Sequence, residues 1–101
     1  MAGKSRWRLA VQGEFCASHA LRCYKGKCES LHGHNFGVEL CVSGEKLSPD
    51  VQILVDFGEL KQALKQVLAS LDHANLNEVP PFDELNPSSE NLSQYIYERI
   101  S

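Results

Sequence analysis

His32-Gly33-His34-Asn35-Phe36-Gly37-Val38-Glu39-Leu40-Cys41-Val42 is the stretch on which the reading of this chain turns. From His32 the even positions carry His, His, Phe, Val, Leu and Val, while the odd positions between them are small or polar. Alternation with a period of two marks a strand with one face turned inward. The strand ends at Ser43-Gly44, and Ser48-Pro49-Asp50 marks a turn. Upstream, Trp7, Leu9, Val11, Phe15, Ala17 and His19 hold the odd positions of another alternating stretch, with Arg8, Gln12, Glu14 and Ser18 between them. This is a second half-buried strand, with Gly13 as the place where it could bend. Residues 20–31 read as a loop.

Downstream the period changes. Asp56-Phe57-Gly58-Glu59 has the form of a capping box, Asp56 as N-cap and Glu59 three residues on. Leu60, Ala63, Leu64, Val67, Leu68 and Leu71 then fall at helical spacing, which predicts a helix to about Leu71. Residues 72–86, with two adjacent prolines, read as loop. A second helix starts near Pro87 or Ser88, with Leu92, Tyr95, Ile96 and Ile100 on its apolar face. The order strand, strand, helix, helix gives an α+β class. Two strands alone leave long edges unpaired, so the sheet reads as incomplete.

Length and composition narrow the function. The chain's 101 residues suggest one domain, and its net charge is −3. Basic residues do not cluster beyond Lys4 to Arg8, which argues against nucleic acid as a partner. No apolar run approaches the length of a membrane span, and the N-terminus lacks an apolar signal segment. The expectation is a cytoplasmic protein with no membrane partner. Cysteines stand at 16, 23, 28 and 41, in no Cys-x-x-Cys pattern, and are expected to be free thiols. Cys16 and Cys41 are expected to be small buried apolar side chains.

The histidines carry the chemistry. His32 and His34 are two apart, so they share a strand face, and Gly33 between them would let the backbone approach a ligand. His19 belongs to the inward set of the other strand. Antiparallel pairing would let all three converge, and three neutral imidazoles suit Zn2+ with a fourth position open. A His-x-His pair alone is more often two ordinary strand histidines; the third from a partner strand tips the reading toward metal. Cys28 lies four residues before His32, near Lys25 and Lys27, which favour a thiolate. It could be a fourth ligand or a general base. Glu29 is a second candidate base, or a solvated loop carboxylate. Asp72-His73 ends the first helix. Asp72 could orient His73 for proton transfer, or His73 could simply complement the helix dipole.

Five segments together resemble the 6-pyruvoyltetrahydropterin synthase family, including its bacterial branch, 6-carboxytetrahydropterin synthase. They are Phe15-Cys16-Ala17-Ser18-His19, Cys28-Glu29-Ser30-Leu31-His32-Gly33-His34, Val55-Asp56-Phe57-Gly58-Glu59-Leu60-Lys61, Leu71-Asp72-His73-Ala74-Asn75-Leu76-Asn77 and Asn86-Pro87-Ser88-Ser89-Glu90-Asn91. The resemblance implies a T-fold, an antiparallel four-stranded sheet with two helices on one face. It also implies a homohexamer built as a dimer of trimers, with active sites between subunits. His19, His32 and His34 match the family's zinc ligands, Cys28 its catalytic cysteine, and Asp72 and His73 the pair that works with it. Ser88, Ser89 and Glu90 match the segment near the pterin, with Ser88 in place of the usual threonine. The family pattern ends with two more strands, the last bearing a pterin-gripping glutamate. Residues 1–101 lack them, so the single T-fold domain 1–101 reads as C-terminally incomplete.

The resemblance also implies the substrate, 7,8-dihydroneopterin triphosphate. The favoured product is 6-carboxy-5,6,7,8-tetrahydropterin, on the way to queuosine. A 6-pyruvoyl product is the alternative. So is folate-branch release of 6-hydroxymethyl-7,8-dihydropterin using Glu29, because Cys28-Glu29-Ser30-Leu31-His32-Gly33-His34 satisfies both the cysteine and the glutamate patterns. A pterin- or zinc-binding module without turnover is the non-enzymatic alternative.

Overall fold

The computed structural model describes residues 5–23 and 30–100. Two strands, β1 (Trp7–His19) and β2 (His32–Gly44), pair antiparallel in one-to-one register, from Trp7 opposite Gly44 to His19 opposite His32. The register contains no bulge at Gly13, which sits opposite Val38. The expected bend is therefore not what the glycine serves. A Cβ there would lie 3.0 Å from a Leu68 methyl carbon and 3.1 Å from one of Leu64, so Gly13 lets the first helix lie close against the strand.

That helix, α1 (Phe57–Ala69), is capped as the sequence predicts: the Glu59 N–H donates to Asp56 Oδ1 at 3.1 Å. It stops slightly short of Leu71. The Ser70 hydroxyl donates to the Val67 carbonyl at 2.8 Å, and backbone bonds in the last turn tighten. The second helix, α2 (Ser89–Ile100), takes Ser88 as its cap, the hydroxyl accepting the Asn91 N–H at 3.2 Å. Both helices bury their apolar stripes on one sheet face. Leu60, Leu64 and Leu68 of α1 and Leu92, Tyr95 and Ile96 of α2 join Val11, Phe15 and Ala17 of β1 in one core.

The segment between the helices, read as loop, is part of this core. It contains a 3₁₀ turn at Leu76–Glu78, and Leu71, Leu76 and Phe82 are fully buried. Its start also runs along the free edge of β1. The Ser18 N–H donates to the Ala74 carbonyl at 2.9 Å, and the His73 N–H bonds to the Cys16 carbonyl. Among the described residues the sheet has two strands.

Element lengths explain what is left uncovered. Each 13-residue strand spans about 43 Å, whereas the 13-residue α1 spans about 20 Å. The sheet therefore overhangs the helices, and the molecule measures 58 × 26 × 19 Å. Trp7, at one overhanging end, is 38% exposed despite its inward phase. Among the described residues the other face of the sheet carries no helix. Cys16 and Cys41 lie there and are exposed, correcting the expectation that they are buried. The same alternation that turns Phe15 and Leu40 inward turns their neighbours Cys16 and Cys41 outward. Cys16, Cys23 and Cys41 are free thiols, as expected.

Candidate active site

The end of the hairpin where β1 leaves the core gathers the three predicted histidines. His19 and His32 are direct cross-strand partners, and His34 is opposite Ala17. Ring centroids are 4.6 Å apart for His19 and His32, and 5.8 Å for His19 and His34. Three imidazoles bound tetrahedrally to one zinc, with nitrogens at about 2.0–2.1 Å, would have centroids about 5 Å apart. The spacing fits, although among the described residues no three His, Cys, Asp or Glu side chains are already closed on one point. Phe36 forms an apolar floor, its ring 5.0 Å from that of His19 and 4.9 Å from that of His34. It is itself stacked on the core residue Phe15 at 4.8 Å.

Two ring orientations are set by backbone carbonyls. His19 Nδ1 lies 3.1 Å from the Pro87 carbonyl oxygen, and His32 Nδ1 lies 3.0 Å from that of Ser30. A carbonyl can only accept, so Nδ1 is the donor in each contact, and in the neutral ring that tautomer leaves the lone pair on Nε2. That is the usual arrangement of a metal-bound histidine, with the far nitrogen anchored and the near one free. The donor set therefore suits a zinc ion in its chemistry, number and spacing. A Cβ at Gly33 would meet no protein atom within 4 Å.

Asp72 and His73 form a second group. The chain turns sharply after α1, with His73 at φ 59°, a left-handed conformation unusual for a residue with a side chain. The turn lets adjacent side chains meet: His73 Nδ1 is 3.1 Å from Asp72 Oδ2. The other carboxylate oxygen accepts the Cys16 N–H at 2.9 Å. That backbone bond is the main reason the Asp72 carboxyl is held below the usual carboxylate range, with the His73 ring contributing less. Asp72 is thus anchored to β1 and orients an exposed imidazole whose Nε2 points away from the pair. Residues 16–18, 33–35 and 73–75 line one shallow concavity of about 620 Å³, so His34 and His73 border the same space.

Ser88, Ser89 and Glu90 stand at the start of α2, directly after the Pro87 carbonyl that holds His19. The Ser88 hydroxyl is engaged as the helix cap. Cys28, Glu29, Lys25 and Lys27 lie outside the described residues. What the sequence did not flag are the carbonyls of Pro87 and Ser30, the Phe36 floor, and the bonds of Asn77 to Ala20 and of Asn86 to Arg22. Main-chain acceptors leave no residue-type signal.

Comparison with known proteins agrees with this fold. The family described as 6-pyruvoyl tetrahydropterin synthase matches residues 8–101. The chain belongs to that family, whose members process reduced pterins, and it has the family's T-fold. The 6-pyruvoyl tetrahydropterin synthase structure from Caenorhabditis elegans superposes with a TM-score of 0.81 at 26% identity, covering 99% of this chain and 80% of that one. A dihydroneopterin monophosphate aldolase of Pyrococcus furiosus is 38% identical over 93 residues, covering 92% of this chain and 74% of that protein. A 6-carboxy-5,6,7,8-tetrahydropterin synthase of a Synechocystis species is 30% identical over 98 residues, covering 93% of this chain and 74% of that protein. Among the described residues no helix is long and apolar enough to cross a membrane.

Proposed function

We propose that this chain holds Zn2+ on His19, His32 and His34 and acts on the C6 side chain of 7,8-dihydroneopterin triphosphate. The reaction takes up water and releases 6-carboxy-5,6,7,8-tetrahydropterin, acetaldehyde and triphosphate. The observation that carries the reading is the clustering of three imidazoles, two of which, His19 and His32, have Nδ1 held by a backbone carbonyl, which leaves Nε2 of each for one ion. A zinc ion there supplies Lewis-acid stabilisation of side-chain oxygens. The protein's own groups move the protons. Cys28, as a thiolate, removes the proton from the side-chain carbon next to the ring. His73, its Nδ1 fixed by Asp72, gives or takes a proton at Nε2. Substrate and products are at the same overall oxidation level, so neither nicotinamide nor flavin takes part. Ser88, Ser89 and Glu90 flank the pterin, and the working unit is a homohexamer in the cytoplasm.

The kinship to a dihydroneopterin monophosphate aldolase supports a second reading. Aldol cleavage of a dihydroneopterin phosphate would leave a hydroxymethyl group on the ring, with Glu29, adjacent to Cys28, as the base. Product identification separates the two. Zinc-loaded protein with dihydroneopterin triphosphate should give the 6-carboxy product, Cys28→Ala should abolish it, and Glu29→Ala should spare it. Wild-type protein that yields only hydroxymethylpterin, losing it on Glu29→Ala, would establish the aldolase reading instead. Full turnover by Cys28→Ala would refute the role given to that thiol.

A further inference from the structure

The chain leaving His19 is latched to the chain approaching α2 by bonds that the proposed chemistry does not use. Asn77 and Asn86 each bond a backbone residue in both directions. Asn77 Oδ1 accepts the Ala20 N–H at 2.8 Å, and its Nδ2 donates to the Ala20 carbonyl at 2.9 Å. Asn86 Oδ1 accepts the Arg22 N–H at 2.7 Å, and its Nδ2 donates to the Arg22 carbonyl at 3.0 Å. Two side-chain amides thus imitate a neighbouring strand along alternate residues 20 and 22. The Arg22 guanidinium closes the latch from the other side. It donates to the carbonyls of Leu85 at 3.0 Å, Phe82 at 2.7 Å and Asn77 at 3.3 Å.

The latch brackets the His19 ligand. Asn86 precedes Pro87, whose carbonyl fixes His19 Nδ1. The Asn86 carbonyl is held by Asn91 Nδ2 at 2.9 Å, inside the first turn of α2. An unbroken line of bonds therefore runs from α2 through Asn91, Asn86 and Pro87 to one imidazole, and from Asn86 across to Arg22.

We propose that Asn86, with Asn77 and Arg22, is a positioning unit. It holds the Pro87 carbonyl where it sets the His19 ring, and it fixes the path of residues 20–22 as the chain leaves His19. The proposal rests on the zinc reading above. Loss of an anchor behind a metal-bound histidine typically weakens metal binding 10–100-fold. Removing the Asn86 side chain is expected to do the same, because it frees the Arg22 backbone and loosens the peptide before Pro87 together.

The test is zinc affinity by chelator competition, with the visible spectrum of the Co2+-substituted protein as a report on coordination. Wild type, Asn86→Ala, Arg22→Lys and a control, Val67→Ala, are compared. The control trims a half-buried side chain of α1 packed against the core, and lowers stability away from the latch. Asn86→Ala should bind zinc about 10–100-fold more weakly and show an altered Co2+ spectrum, while Val67→Ala matches wild type in both. Arg22→Lys keeps the charge but loses the forked donation to three carbonyls, and should show a smaller loss in the same direction. It carries the test if Asn86→Ala does not fold. Folded latch variants with wild-type affinity and spectrum, or a control that weakens zinc equally, would overturn the positioning role. Wild-type protein that takes up no zinc would overturn the metal reading itself, a different result from zinc-binding wild type with unaffected variants.

Discussion

The two strands of the hairpin present the same kind of inner face but are held very differently. β1 is gripped from three sides. Helix α1 lies on it across Gly13, residues 72–75 run along its outer edge, and the latch at Asn77 and Asn86 fixes the chain beyond it. Among the described residues β2 has β1 on one side only, and its inward residues Phe36, Val38, Leu40 and Val42 are half-buried. The histidines inherit this contrast. His19 is oriented by a carbonyl from a distant segment, while His32 relies on Ser30, two residues away, and is exposed. One of the three proposed ligands is thus preorganised by tertiary structure, and the other two ride on the looser strand.

The contrast can be broken at the stacked phenylalanines. Phe15 on β1 is 2% exposed, and Phe15→Ala should cost about 3–5 kcal/mol in urea unfolding. Phe36→Ala, on half-buried β2, should cost distinctly less. Equal losses would mean that the strands are equally held. A glycine pair sharpens the point at smaller scale. Gly13→Val drives a branched side chain into Leu64 and Leu68 and should destabilise by about 1–3 kcal/mol. Gly37→Val meets open space and should stay within about 0.5 kcal/mol of wild type.

The smallest effect is expected at Asp72, where the carboxylate is partly exposed. Its folded value is lowered from the ordinary 3.8, chiefly by the Cys16 N–H. The unfolded chain therefore takes up the proton first as pH falls. The stabilisation is complete above the ordinary carboxylate value and is lost as pH drops through the lowered one. The stability gap between wild type and Asp72→Asn should be present at neutral pH and close in acid. A gap independent of pH would show that the carboxylate charge plays no part in holding the turn to β1.

Much of this was legible beforehand for a physical reason: alternation and helical spacing are written in residue types. Period two gave both strands and their inner faces, Asp56 and Glu59 gave the start of α1, and His19 with His32 and His34 gave the cluster. The rest depends on partners distant in sequence. Leu76 and Phe82 carry no period, so their burial was invisible. Gly13 looked like a bend because nothing local reveals that Leu64 and Leu68 will press on it. Trp7 had the right phase for burial, but only the mismatch between strand and helix lengths leaves it exposed. Asn77 and Asn86 fall within recognisable motifs, yet their bonds to Ala20 and Arg22 depend on how the chain folds back.

The central claim is that imidazoles from both strands, tight and loose alike, meet at one ion. X-ray absorption spectroscopy of the zinc-loaded protein tests it most directly. The account predicts three imidazole nitrogens at about 2.0–2.1 Å, with one ring lost from the fit in His19→Ala. Fewer than three imidazoles in wild type, or a spectrum unchanged by His19→Ala, would contradict it.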